Sequence, residues 1–160
     1  AWWQASRFGL SLHWGLYSIQ GRGEWLRSVE RMPIEQYQRY FDAFAPAPDC
    51  CRDWAKLAKR AGATHVVLTA KHHDGFCLWD SKLTDYGPVF GDRPHPLRHD
   101  PRQRDLDPHR DWSRYLRFMH GQVEELLSNY GRIDVLYFDF SYWSFTGERW
   151  RATELMQMVR

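Results

Sequence analysis

The feature that most constrains the fold of this chain is the apolar run His65–Thr69, HVVLT, which follows directly on a helical pattern. An uninterrupted run of β-branched and apolar residues predicts a strand that is buried on both faces. The preceding helix has Asp49 or Asp53 as its N-cap and is predicted to stop at Gly62. A helix that leads straight into a doubly buried strand is typical of α/β folds with a parallel sheet.

Further segments continue this alternation along the chain. Arg7–Trp14, RFGLSLHW, and Ile133–Phe140, IDVLYFDF, are predicted to be short buried strands. Pro33–Phe44 has apolar residues at helical spacing, and a long helix is predicted over about His109–Asn129. A final helix is predicted from about Glu148. The order of these elements predicts a parallel sheet surrounded by helices.

Length and charge exclude several kinds of partner. The 160 residues suit one domain, and the proline-rich segment Gly87–Pro108 is predicted to be a long loop. The 22 basic and 20 acidic residues give a net charge of +2, which offers no electrostatic case for nucleic acid or an anionic membrane. No run approaches the roughly 18 apolar residues that span a bilayer. The three cysteines form no CxxC pattern, so neither a zinc site nor a disulfide framework is expected.

Polar side chains cluster where the predicted strands end. His13 and Trp14 close the first strand, Lys71–Asp74 follow the second, and Asp139 closes the third. The carboxyl ends of parallel strands meet at one edge of a sheet, where α/β proteins build their sites. The sequence therefore predicts that three strands direct polar side chains to one edge.

Asp139 is the candidate for chemistry at this edge. A carboxylate at the end of an apolar strand is costly to bury unless it has a partner. It is either a nucleophile or general base, or a structural cap for the helix that follows.

His72 and His73 are adjacent, so on an extended chain their side chains point to opposite faces. The helical spacing of metal-binding histidines is absent as well, and we therefore expect no metal here. Neutral imidazoles that both donate and accept hydrogen bonds suit sugar hydroxyls. Asp74, which precedes Gly75, is a candidate turn residue.

Aromatic residues are unusually abundant, since nine Trp, eight Tyr and nine Phe make up 16% of the chain. Core packing accounts for many of them. Others lie beside polar residues, as in the pair Glu24 and Trp25. Aromatic faces flanked by polar groups are suited to a sugar, whose C–H face lies on the ring while its hydroxyls need polar partners.

Four segments together resemble the α-L-fucosidases of glycoside hydrolase family 29. These are RFGLSLHWGLYS (Arg7–Ser18), GEW (Gly23–Trp25), LTAKHHDGFCLWDSKLTDY (Leu68–Tyr86) and ELLSNYGRIDVLYFDF (Glu125–Phe140). The resemblance implies a (β/α)-barrel catalytic domain and a retaining exo-hydrolase that removes terminal α-L-fucose from oligosaccharides or glycoconjugates. It also implies no metal and no organic cofactor.

The resemblance assigns roles residue by residue. Asp139 matches the family's catalytic nucleophile, and Tyr137 stands where the family usually has Trp in the same strand. Residues that match those binding the fucose hydroxyls are His13, Glu24, Trp25, His72 and His73.

The chain also departs from the family pattern. About one βα unit is missing after Tyr86, and the family's general acid/base carboxylate has no match. Glu148 and Glu24 are candidates, and neither is chosen. A whole barrel needs about 250 residues. We therefore expect residues 1–160 to form a single shortened, incomplete barrel that self-association completes, giving a homo-oligomer.

Three hypotheses follow. The first is a fucosidase assembled from several copies of the chain. The second is a fucose-binding pseudoenzyme or fragment without the general acid/base. The third is a metal-dependent hydrolase that uses His13, His72, His73 and Asp139. The first is favoured because the family's motifs occur together and in order.

Overall fold

The computed structural model describes residues 2–84, 112–139 and 146–159. They belong to two compact units, one with residues 2–80 and one with residues 81–84, 112–139 and 146–159. The predicted loop Gly87–Pro108 lies outside the described residues. The single domain over residues 1–160 stays a prediction.

The first unit contains two strands and four helices. A 3-10 helix, Leu16–Ile19, follows the first strand. The remaining elements are α1 Trp2–Ala5, β1 Gly9–Leu12, α2 Leu26–Val29, α3 Ile34–Asp42, α4 Cys50–Arg60 and β2 His65–Leu68. Both helices and both strands that the sequence predicted for this unit are confirmed, with Pro33 directly before α3.

The two strands pair in parallel and in register, from Gly9 opposite His65 to Leu12 opposite Leu68. The prediction that they are buried is wrong, because Val66, Val67 and Leu68 of β2 are 42–46% exposed and the residues of β1 are exposed or half-buried. A strand is buried on both faces only where layers cover both faces. Within the described residues the sheet has two strands, and burial of β2 depends on partners that its own sequence does not specify.

The core of the first unit lies beside the sheet rather than on it. It is formed by the 3-10 helix, α2, α3 and the segment after β2. Its buried members are Leu16, Tyr17, Leu26, Met32, Tyr37, Tyr40 and Phe76, with Phe41, Phe44 and Leu78 packed against them.

The second unit is built on α5, Trp112–Asn129, and α6, Ala152–Val159. Leu116, Val123 and Leu155 are buried in it. The ring of His120 contacts the Trp150 carbonyl oxygen at 3.0 Å. Both predicted helices are confirmed within the described residues, and a 3-10 turn at Gly147–Trp150 precedes α6.

The predicted third strand is wrong over residues 133–139, which form no regular element. Val135 is 51% exposed and Tyr137 is 78% exposed. A strand requires ladder hydrogen bonds to a neighbour, and within the described residues no strand pairs with this segment. Phe140 lies outside the described residues. No helix in the described part of the chain is both long and apolar enough to cross a membrane.

Candidate active site

The in-register strands deliver polar residues to one edge of the sheet. His13 follows β1 directly, and the Thr69 N–H donates to the Leu12 carbonyl at 3.0 Å, which extends the pairing past β2. The His13 and His72 rings lie 5.4 Å apart between centroids. The carboxyl ends of these two strands therefore meet as parallel pairing requires.

The two adjacent histidines open a tight turn. The Gly75 N–H donates to the His72 carbonyl at 3.0 Å, and Lys71 and Cys77 bridge in antiparallel pairing across the turn. Gly75 has φ +80°, where glycine is favoured over residues with a Cβ.

The turn places the His72 and His73 rings 4.6 Å apart and nearly perpendicular. The expectation that they point to opposite faces is wrong, because it assumed an extended chain. Among the described residues, no group of three or more His, Cys, Asp or Glu side chains is arranged to hold a metal ion.

Trp25 forms a wall against both histidines. Its ring lies 4.1 Å from His73 at an interplanar angle of 34°, and 5.5 Å from His72. Gly23 has φ +93°, and its carbonyl accepts a hydrogen bond from the Leu26 N–H. Together these features turn the chain at Trp25 into helix α2. Trp25 remains 43% exposed, so an apolar face is available beside two imidazoles.

Glu24 and Tyr17 complete this neighbourhood. Tyr17 is buried, and its ring lies 5.6 Å from that of His72. Its hydroxyl has no hydrogen-bond partner among the described residues. Burial raises the pKa of Tyr17 well above its ordinary value, and the negative charges of Asp74 and Glu24 add to this shift. Tyr17 was not among the site residues predicted from the sequence. The sequence signal that could have identified it is its position four residues after His13.

Asp74 lies beneath the histidine turn and is buried. One carboxylate oxygen accepts from the Phe76 N–H at 3.1 Å, and the other accepts from the Tyr37 hydroxyl at 2.8 Å. Burial raises the pKa of Asp74, and the hydrogen bonds and the charges of Arg27 and Lys71 oppose this shift. The bond to Phe76 confirms Asp74 as a turn residue.

Asp139 and Tyr137 belong to the second unit, where both side chains are exposed. Their roles as nucleophile and sugar-contacting ring stay predictions. The structure thus brings His13, Trp25, His72 and His73 together in the first unit, with Glu24 next to Trp25.

Glu148 lies ahead of α6. Its carboxylate accepts hydrogen bonds from the Thr153 N–H, at 3.0 Å, and from the Thr153 hydroxyl. These bonds lower the pKa of Glu148. A general acid needs a raised pKa, so this environment suits a helix-end acceptor rather than a proton donor.

Comparison with known proteins identifies a family. The family model described as alpha-L-fucosidase matches residues 1–95. The tissue alpha-L-fucosidase of Mus musculus is 33% identical over 132 residues, which covers 69% of this chain and 25% of that protein.

Two solved structures are similar over nearly the whole chain. Alpha-L-fucosidase isoenzyme 1 from Paenibacillus thiaminolyticus has 45% identity and a TM-score of 0.83, covering 99% of this chain and 47% of that one. A GH29 alpha-L-fucosidase from Bacteroides thetaiotaomicron, a covalent intermediate trapped with 2-fluoro-fucosyl fluoride, has 27% identity and a TM-score of 0.73, covering 98% and 45%.

This chain thus spans between a quarter and a half of the length of these relatives. The family model covers more than half of the chain, and it includes the strands, the histidine turn and Trp25. The chain therefore belongs to the α-L-fucosidase family.

Proposed function

We propose that this chain is an α-L-fucosidase that removes terminal α-L-fucose from oligosaccharides or glycoconjugates with retention of configuration. The observation that carries the proposal is the cluster of His13, Trp25, His72 and His73 at the carboxyl edge of β1 and β2. Membership of the fucosidase family supports the assignment of this cluster as the sugar pocket.

The chemistry of the cluster suits a deoxy sugar. Three imidazoles offer both donors and acceptors, and the half-buried carboxylate of Glu24 adds an acceptor for a hydroxyl. The exposed face of Trp25 suits the C–H face and the methyl group of fucose. A single pocket thus meets both the polar and the apolar side of the ligand.

Asp139 is the proposed nucleophile. Retaining hydrolysis requires one carboxylate to attack the anomeric carbon and a second group, about 5 Å away, to donate a proton. The covalent intermediate trapped in the Bacteroides relative supports a glycosyl-enzyme route. In this chain the fucosyl ester would form on Asp139, with Tyr137 as an aromatic neighbour in place of the family's Trp.

We further propose that residues 1–160 form part of a (β/α) barrel that associates with further copies of the chain. The parallel pairing of β1 and β2 is what a barrel requires. The exposed apolar residues of β2 are surfaces that further barrel elements would cover.

The test is hydrolysis of an aryl α-L-fucoside by the wild type and by Asp139→Ala. An aryl leaving group departs with little acid assistance, so the assay reports the nucleophile without needing the proton donor. We expect Asp139→Ala to lower kcat on the order of 10³-fold or more. Asp134→Ala is the matched control, because Asp134 is an exposed carboxylate five residues earlier, paired with Arg132. Equal turnover by the wild type and Asp139→Ala would refute Asp139 as the nucleophile.

A second candidate is a fucose-binding protein without hydrolysis. The lowered pKa of Glu148 favours it, since this carboxylate is not suited to donate a proton. Calorimetric binding of L-fucose by a wild type that leaves the aryl fucoside intact would select this candidate.

A further inference from the structure

We propose that Asp74 and Tyr37 are positioning residues that lock the histidine turn to helix α3 and thereby set the orientation of His72 and His73. Both residues are buried, and neither is among the four clustered side chains of the proposed pocket. The consequence for sugar binding rests on the proposed function, whereas the positioning of the imidazoles does not.

The two oxygens of Asp74 connect two different parts of the fold. Oδ1 accepts from the Phe76 N–H and so fixes the backbone within the turn. Oδ2 accepts from the Tyr37 hydroxyl, 37 residues away in sequence. One carboxylate therefore determines both the shape of the turn and its position relative to α3.

Tyr37 is a rigid anchor for this link. It lies in α3, is 3% exposed and packs edge-on against Tyr40 at 5.4 Å between centroids. Phe76 adds a second attachment, because its ring meets those of Phe41 and Phe44 at 5.9 and 5.1 Å. The turn is thus held to the α3 region by a hydrogen bond at Asp74 and by aromatic packing at Phe76.

The histidines take their directions from this turn. His72 closes it with its carbonyl, and His73 is its second residue, so a rotation of the turn moves both rings. Binding groups act only when they are held to within about 0.5 Å of their productive positions. Loss of the Tyr37 hydroxyl removes no pocket residue, but it loosens the histidine turn that carries His72 and His73.

The experiment compares Tyr37→Phe with Tyr40→Phe. Both remove one hydroxyl from a buried tyrosine of α3, and of the two only Tyr37 bonds to Asp74. Asp74→Asn and Asp74→Ala extend the series. The amide of Asn can accept from Phe76 and donate to the Tyr37 oxygen, whereas Ala can do neither.

The first readout is the long-range ¹H–¹⁵N spectrum of the histidine side chains, with His72→Gln and His73→Gln used to assign the signals. We expect the His72 and His73 signals to shift in Tyr37→Phe and Asp74→Ala, and to stay near their native positions in Tyr40→Phe and Asp74→Asn. The second readout is the aryl fucoside, for which Tyr37→Phe should raise KM on the order of tenfold with little change in kcat.

Imidazole signals that stay unchanged in a folded Tyr37→Phe would overturn the proposal. Signals that shift equally in Tyr40→Phe would also overturn it, since they would report a general effect on the core. Should Asp74→Ala fail to fold, the remaining variants still decide the outcome. A wild type that neither binds nor hydrolyses fucosides would refute the proposed function and leave the spectroscopic test intact.

Discussion

Asp74 and Asp139 are carboxyl groups in opposite environments, and the contrast separates their roles. Asp74 is buried, and each of its oxygens accepts a hydrogen bond from the framework. Asp139, by contrast, is exposed. At the residue scale, the environment assigns Asp74 to the framework of the histidine turn, whereas the role of Asp139 as nucleophile stays a proposal.

The raised pKa of Asp74 predicts a pH dependence of stability. The native state holds this proton more tightly than the unfolded state, whose Asp pKa is about 3.9. The stabilising contribution is therefore complete below about pH 4 and is lost as the pH rises through the native pKa. We expect the free energy of unfolding of the wild type, relative to Asp74→Asn, to fall over that range. Urea unfolding across pH measures this difference.

Asp42→Asn is the control for this measurement, because Asp42 is an exposed carboxylate of α3. A stability difference between the wild type and Asp74→Asn that rises with pH would contradict the prediction. It would mean that the hydrogen bonds and the neighbouring cations outweigh the cost of burial at Asp74.

Helix α4 shows how local signals define an element. Asp49 directly precedes its first residue, and Gly62 follows its C-cap with φ +84°. The Ala63 N–H donates to the Ala58 carbonyl and the Gly62 N–H donates to the Lys59 carbonyl, which is the Schellman pattern. The two donors satisfy carbonyls that a helix end leaves without partners.

Gly62→Ala should destabilise the protein by about 1–2 kcal/mol, the cost of a left-handed residue that carries a Cβ. A Cβ at Gly62 would meet nothing within 4 Å, so the loss reports backbone conformation and not a clash. Gly62→Asn should cost less, because Asn tolerates this conformation. Urea unfolding of both variants tests the order. Equal losses for Ala and Asn would show that the left-handed conformation is not retained.

Elements that depend on local signals could be predicted from the sequence, and features that depend on distant partners could not. Helices α3 and α4 were predicted from periodicity, Pro33 and Gly62, which act within a few residues. The burial of β2 and the strand over residues 133–139 were predicted wrongly, because both require neighbouring layers. The turn at Asp74 and Gly75 was predicted from local signals, whereas its bond to Tyr37, 37 residues earlier, was not, because it depends on how α3 packs.

At the scale of the whole molecule, the sheet and the core of the first unit are separate. The core packs around Leu16, Leu26 and Tyr37, whereas the residues of β2 remain exposed. Parallel sheets are normally covered on both faces. The proposed (β/α) barrel would account for the difference, because in that fold the strands are covered by a closed sheet and a ring of helices.

Self-association through the sheet predicts that a charge on β2 weakens assembly. Val67→Lys places an ammonium group on the exposed part of the strand, and its desolvation opposes burial in an interface. Sedimentation equilibrium should show oligomers of the wild type and a shift toward monomer in Val67→Lys. Val29→Lys is the control, because Val29 is 76% exposed and belongs to α2 rather than to a strand, so its change should leave the association intact. A wild type that is monomeric and fully active on the aryl fucoside would show that no second copy is needed to cover the sheet. Equal association of both lysine variants would place the interface elsewhere.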